Sequence, residues 1–143
     1  MIRISDSVRI ARPIEQVFEY TSDLSHYSEW ADFTTDSEKI TDGPIGVGTK
    51  FRWARELFGR RESTTEVTDY QLNRSVSLKT SGAASASGTF TFRSVGQETE
   101  FKIEMKGQTP KMLKPLEMIV AGRMKDDYAS ALKNLKRILE AQT

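Results

Sequence analysis

The period of the apolar positions changes in a definite order along the chain. Ile2, Ile4, Val8 and Ile10 occupy even positions, so residues 2–11 predict a half-buried strand interrupted in its pattern only by Asp6. Pro13 suits the first turn of a helix and opens PIEQVFEYTSDL, in which Ile14, Val17 and Phe18 share one helical face. Asp23 or Ser25 can cap a second short helix, where Leu24, Tyr27 and Trp30 recur at spacings of three. TDGPIGVGTK breaks both periods and predicts a loop that releases the chain into strands. From Thr49 to Gly107 strands alternate with turns, and the last hairpin is the best defined. With Gly96 and Gln97 as its turn, Phe92 faces Phe101, Phe90 faces Ile103 and Gly88 faces Met105, while Arg93 faces Glu100 and Thr89 faces Glu104 on the other side. The same apolar side extends back to Val76 and Leu78, Val67, then Phe51 and Trp53, with a one-residue ambiguity of register around the LFGRRE turn.

Thr109 and Pro110 resemble an N-cap and first helical position. The remainder carries a helical stripe of Leu113, Leu116, Val120, Met124, Tyr128, Ala131, Leu135 and Ile138. Pro115 must sit near the first turn or kink the helix, because an interior proline costs about 3 kcal/mol. Irregularity is therefore expected at the N-terminal end. The fold class predicted is α+β in the order β-α-α-β6-α. An antiparallel meander of about six strands joins the first strand in a strongly curved sheet of about seven, wrapped around a long C-terminal helix. A curved sheet and a rod leave space between them, and ligands go into such spaces.

Composition narrows the functions this fold can carry. The 143 residues and 37% hydrophobic content suit one domain over residues 1–143. Lys and Arg number 21 against 20 Asp and Glu, so the net charge of +1 offers no field for nucleic acid. The absence of cysteine removes thiolate metal sites, disulfides and thiol nucleophiles, and the single histidine, His26, argues against an imidazole-rich metal site. No metal and no cofactor are expected. The start lacks the apolar segment of a signal peptide, and MLKPLEMIVAG is interrupted by Lys114, Pro115 and Glu117. A cytoplasmic chain without integral membrane association is the expectation.

Five stretches carry a family resemblance: VRIARPIEQVFEYTSDLSHYSEW, GVGTKFRW, TEVTDYQLNRSVSLKT, GTFTFRSVGQETEF and ALKNLKRILE. Together they resemble the START-like helix-grip superfamily (SRPBCC), in particular its polyketide cyclase/dehydrase branch, over nearly the whole chain. The resemblance implies a cavity for an apolar or amphipathic molecule, such as a lipid, a polyketide or a quinone. It specifies no reaction, because fold does not imply function.

Within such a cavity Trp53, Phe90, Phe92, Met105, Met112, Leu116 and Met124 would make an adaptable lining, joined by Val67, Leu78, Ile103 and Val120 on the same faces. Plain core is the competing reading of all eleven. Arg55 and Asp69 fall on the side of Trp53 and Val67 and could anchor a ligand carboxylate, hydroxyl or carbonyl; a solvated strand end or a slip of register is the simpler reading of both. Glu62 and Glu66 alternate with Ser63, Thr65 and Val67 and read as an outer face rather than an acid–base pair. GPIGVGTK is not a phosphate loop, since Thr49 precedes Lys50 and a strand follows. SGAASASG reads as a flexible hairpin whose small side chains could keep a cavity mouth open. His26 is offset from the Leu24, Tyr27 and Trp30 stripe and is expected at the rim of the corner, without a serine and a carboxylate placed to make it catalytic.

Three functions fit. The first is a soluble binding module for a hydrophobic or amphipathic small molecule. The second is a polyketide cyclase or dehydratase that folds a reactive chain into a near-attack shape, with Arg or Tyr polarising a carbonyl. The third is a domain that regulates a partner protein.

Overall fold

The computed structural model describes residues 1–56, 59–109 and 111–142. Seven antiparallel strands form one sheet in the order β1-β7-β6-β5-β4-β3-β2, curled into a half-barrel around a long helix. These are β1 (Ile2–Ile10), β2 (Thr35–Lys39), β3 (Lys50–Glu56), β4 (Arg60–Gln71), β5 (Ser75–Gly82), β6 (Ala86–Val95) and β7 (Glu98–Gly107). Helix α1 (Ile14–Ser22), a 3-10 turn at Leu24–His26 and the four-residue α2 (Tyr27–Trp30) carry the chain from one sheet edge to the other. A second 3-10 turn (Lys111–Leu116) leads into α3 (Glu117–Ala141).

The last hairpin has the expected register: Phe92 opposite Phe101, Phe90 opposite Ile103 and Gly88 opposite Met105. Gly96 lies at φ 61, the left-handed conformation that a two-residue hairpin turn requires. Across the LFGRRE turn Trp53 faces Ser63 and Arg55 faces Arg61. Leu57 and Phe58 of that stretch and Pro110, the expected first helical position, lie outside the described residues.

The meander has the expected six strands. Five of them follow Thr49, and the remaining one is β2, which precedes the glycine-rich loop. Its sequence, TDSEK, is exposed or half-exposed throughout, so it has no apolar alternation to read. Backbone pairing with β3 and an Arg52–Glu38 ion pair hold it at the sheet edge. One expectation about the strands needs correction, in β4, where the register shifts between Val67 and Asp69. This bulge inserts Thr68, so that Val67 and Tyr70 face inward positions of β5 while Asp69 turns out and is exposed.

The corner helices pin one end of the half-barrel. Asp23 caps the 3-10 turn by accepting a hydrogen bond from the Ser25 amide at 3.0 Å. Leu24, Tyr27 and Trp30 are buried, and the Trp30 ring meets Tyr27, Phe90 and Phe101 edge-on. Phe18 of α1 packs against Phe92 and Tyr70, with centroids 4.9 and 5.4 Å away. This end of the barrel is filled.

Helix α3 is held unevenly along its length. Its buried residues are Tyr128, Ala131, Leu132, Leu135 and Leu139, all in the C-terminal part. There Glu140 accepts the Ala11 amide at 2.7 Å and Lys136 donates to the Arg9 carbonyl at 2.7 Å, binding the helix to β1. The preceding turn contains Pro115 and buries nothing. Because that turn winds at three residues rather than 3.6, the stripe read through Leu116 loses its phase. Met112 and Leu116 consequently point outward, 86% and 48% exposed, as do Met118 and Ile119. No helix among the described residues is long and apolar enough to cross a membrane.

Candidate ligand-binding cavity

The end of the half-barrel away from Phe18 is not filled. A cavity of about 90 Å³ lies between the sheet and the loosely held half of α3. The sheet contributes Trp53, Arg55, Leu78, Phe90, Ile103 and Met105, and α3 contributes Met124. Of the other residues expected there, Val67 and Phe92 are fully buried core and Val120 packs half-buried against that core. Asp69, Met112 and Leu116 are exposed, for the reasons of bulge and helical phase given above.

Several wall residues were not anticipated. Leu24, Tyr27 and Phe33 come from the corner, where apolar periodicity reads equally as core. Asp127 and Tyr128 stand three and four positions after Met124 and so share its helical face, a signal that was available. Thr65 and Thr80 face each other across β4 and β5; their hydroxyls are 2.7 Å apart, and Thr65 also accepts the Trp53 indole N–H at 2.9 Å. Ala84 and Ala86 of the SGAASASG segment complete the wall, and their short side chains leave space there.

One charged pair enters this largely apolar space. Arg55 Nη2 lies 3.5 Å from Asp127 Oδ2, with side chains 19% and 23% exposed. The guanidinium stands 5.2 Å from the Phe33 ring centroid, within the range of a cation–π contact. Tyr27, Phe33, Trp53 and Tyr128 form an aromatic enclosure beside it, joined edge-on at 5.4 to 6.1 Å. Burial pushes the Tyr27 hydroxyl well above its ordinary pKa, and the neighbouring Tyr128 adds to that rise. Burial also raises Tyr128, with the Tyr27 hydroxyl opposing the shift. Both phenols are therefore neutral hydrogen-bonding groups at physiological pH, and they stand beside the Arg55 guanidinium. This set can polarise a carbonyl or orient a hydroxyl.

His26 is elsewhere, on the outer side of the corner. It stacks on Tyr20 at 4.5 Å, and its Nδ1 lies 3.0 Å from Glu29 Oε2, while the Tyr20 hydroxyl donates to Glu29 Oε1 at 2.6 Å. It joins α1 to the short helical corner. Glu62 and Glu66 lie on the outer side of β4, and Glu62 pairs with Arg60. Among the described residues no three His, Cys, Asp or Glu side chains converge as a metal site would require.

A half-barrel gripping a C-terminal helix over a partly filled cavity defines the helix-grip class. The sequence model of the family described as polyketide cyclase / dehydrase and lipid transport matches residues 1–140, and the chain belongs to that family. No curated protein matches the chain. Among solved structures it is similar to the protein TTHA0849 from Thermus thermophilus, with 21% identity, TM-score 0.77 and 97% of each chain covered. The Zhui aromatase/cyclase from Streptomyces sp. R1128 shares 15% identity with TM-score 0.75, over 96% of this chain and 93% of its own. The Aha1 dimer from Colwellia psychrerythraea shares 18% identity with TM-score 0.69, over 99% of this chain and 98% of its own. At these identities the three share the fold. Family and cavity together make the chain a ligand-binding or cyclase-type helix-grip domain.

Proposed function

We propose that this protein binds a hydrophobic or amphipathic small molecule of lipid, polyketide or quinone type between the sheet and α3. The observation that carries this reading is the contrast between the two ends of the half-barrel. One is packed by Phe18, Phe92 and Trp30, while the other retains a space of about 90 Å³ lined by Trp53, Leu78, Phe90 and Met105. Ligand pockets usually measure about 300–1,000 Å³, so a guest of this class needs the space to widen. The part of α3 before Tyr128 has no fully buried side chain, only the partly buried Val120, Ala121 and Met124, and can yield. In the occupied state that segment and the 3-10 turn before it close over the guest, and Met112, Leu116 and the half-buried Val120 are the apolar side chains they can bring inward.

Ala86 stands on the cavity wall, and Ala86→Phe tests the reading. Binding of the uncharged apolar dye Nile red should fall at least about tenfold, the effect of losing one well-filled apolar subsite of about 1.4 kcal/mol. Thermal stability should hold, because the new ring enters existing space. Dye binding unchanged by Ala86→Phe would contradict the assignment.

A second reading, a cyclase-type enzyme, is favoured by the convergence of Arg55 with Tyr27 and Tyr128 on the cavity. A cation and two neutral phenols can stabilise an enolate as a polyketide chain folds on itself. Turnover of a poly-β-ketone substrate that is lost in Arg55→Gln while Nile red binding persists would favour the enzyme. Binding without turnover favours the carrier.

A further inference from the structure

We infer that the polar end of the bound molecule is uncharged and carries both a hydrogen-bond acceptor and a donor, as an alcohol, phenol or enol does, and that it sits between Arg55 and Asp127. The inference rests on the cavity reading above and adds the class of ligand. A charge-assisted N–H···O bond normally measures about 2.7–2.9 Å. The Arg55–Asp127 approach is 3.5 Å, and the buried Arg55 Nε and Asp127 Oδ2 both lack a hydrogen-bond partner. Buried groups left in this state cost about 1–3 kcal/mol each, and of the five such side-chain atoms among the described residues these two alone line the cavity. One hydroxyl satisfies both, accepting from the Arg55 N–H and donating to the Asp127 carboxylate.

The same pair disfavours an acid. Arg55 is already neutralised by Asp127 and held over Phe33, so a ligand carboxylate would meet a cation that has a counter-ion. It would also bring a second negative charge beside Asp127 in an apolar enclosure, where like charges repel strongly. Arg55 alone would suggest an anion pocket. Arg55 with Asp127 is a site for a neutral group that offers one donor and one acceptor.

Three probes of one skeleton separate the possibilities: naphthalene, naphthol and naphthoate, titrated calorimetrically into the full chain at neutral pH. Naphthol should bind at least about tenfold tighter than naphthalene, because it satisfies both groups, and at least about tenfold tighter than naphthoate. In Asp127→Asn the order of the two polar probes should reverse, since Arg55 then lacks its counter-ion. Should that variant fail to fold, Arg55→Gln serves instead and should erase the preference for naphthol over naphthalene. Naphthoate binding the unaltered protein as tightly as naphthol would overturn the inference and leave the cavity reading standing. So would equal binding of naphthol and naphthalene, which is the result expected if water alone satisfies the two groups. Failure of all three probes to bind would remove the cavity reading with it.

Discussion

Gly88 offers a direct test of how β6 and β7 are packed beside the cavity. It lies opposite Met105, and a Cβ built on it would fall 2.1 Å from the Met105 sulfur and 2.4 Å from the Glu104 carbonyl oxygen. The thioether can swing aside, since methionine has three rotatable side-chain bonds. The carbonyl cannot, because it belongs to the β7 backbone that pairs with β6. Reaching ordinary contact at 3.4 Å requires a displacement of about 1 Å, which breaks the local ladder. Overpacking of this kind costs about 1–3 kcal/mol and a disturbed hydrogen bond about 1 more, so Gly88→Ala should lose about 2–4 kcal/mol. For a chain of this size the melting temperature should fall by roughly 6–16 °C. Urea unfolding followed by tryptophan fluorescence measures the loss, with Gly122→Ala as the control. At Gly122, in α3, a Cβ meets nothing within 4 Å, and alanine there should stabilise by about 0.5–1 kcal/mol. A Gly88→Ala variant within about 0.5 kcal/mol of the parent would refute the packing described, that figure being the spread of ordinary surface substitutions.

Two further substitutions probe the frame around the site. The Glu140 carboxyl lies below its ordinary pKa because Lys136 and then the Ala11 amide favour the charged form. Its contribution to stability is therefore complete above the unfolded value near 4.5 and is lost as pH falls through the lower folded value. Glu140→Gln should cost less than about 1 kcal/mol at neutral pH, and the difference from the parent should vanish in acid; a difference that persists in acid denies the linkage. His26→Ala should leave Nile red binding unchanged and lower stability by less than about 1 kcal/mol, because the ring stacks on Tyr20 outside the cavity. Lost binding with unchanged melting would return His26 to the site.

The parts of the fold that announced themselves are those where apolar period and burial coincide. The β6–β7 register followed from pairing Phe90 with Ile103 and Phe92 with Phe101, since both faces then made chemical sense. The corner was legible because Leu24, Tyr27 and Trp30 repeat at helical spacing. Strand β2 was hidden because an exposed edge strand needs no apolar side chains. Asp69 was misplaced because a bulge is a backbone event that no side chain of β4 advertises. Leu116 belongs to a stripe that would be continuous in a regular helix, with Met112 one turn before it, and the 3-10 turn around Pro115 shifts the phase of both. The Arg55–Asp127 pair was half-visible. Arg55 stood out as a charge on an inward face, whereas its partner lies 72 residues away on α3, a pairing that only the closed half-barrel creates.

The central claim is that the space under α3 holds a small molecule. Its most direct test is a crystal structure of the protein purified without detergent, organic solvent or delipidation. The account predicts continuous non-protein density between the sheet and the N-terminal half of α3, in contact with Trp53, Phe90 and Met105 and with a polar end at Arg55 and Asp127. An interior closed by side chains alone, with Met124 and Tyr128 packed onto the sheet and no space for a guest, would contradict it.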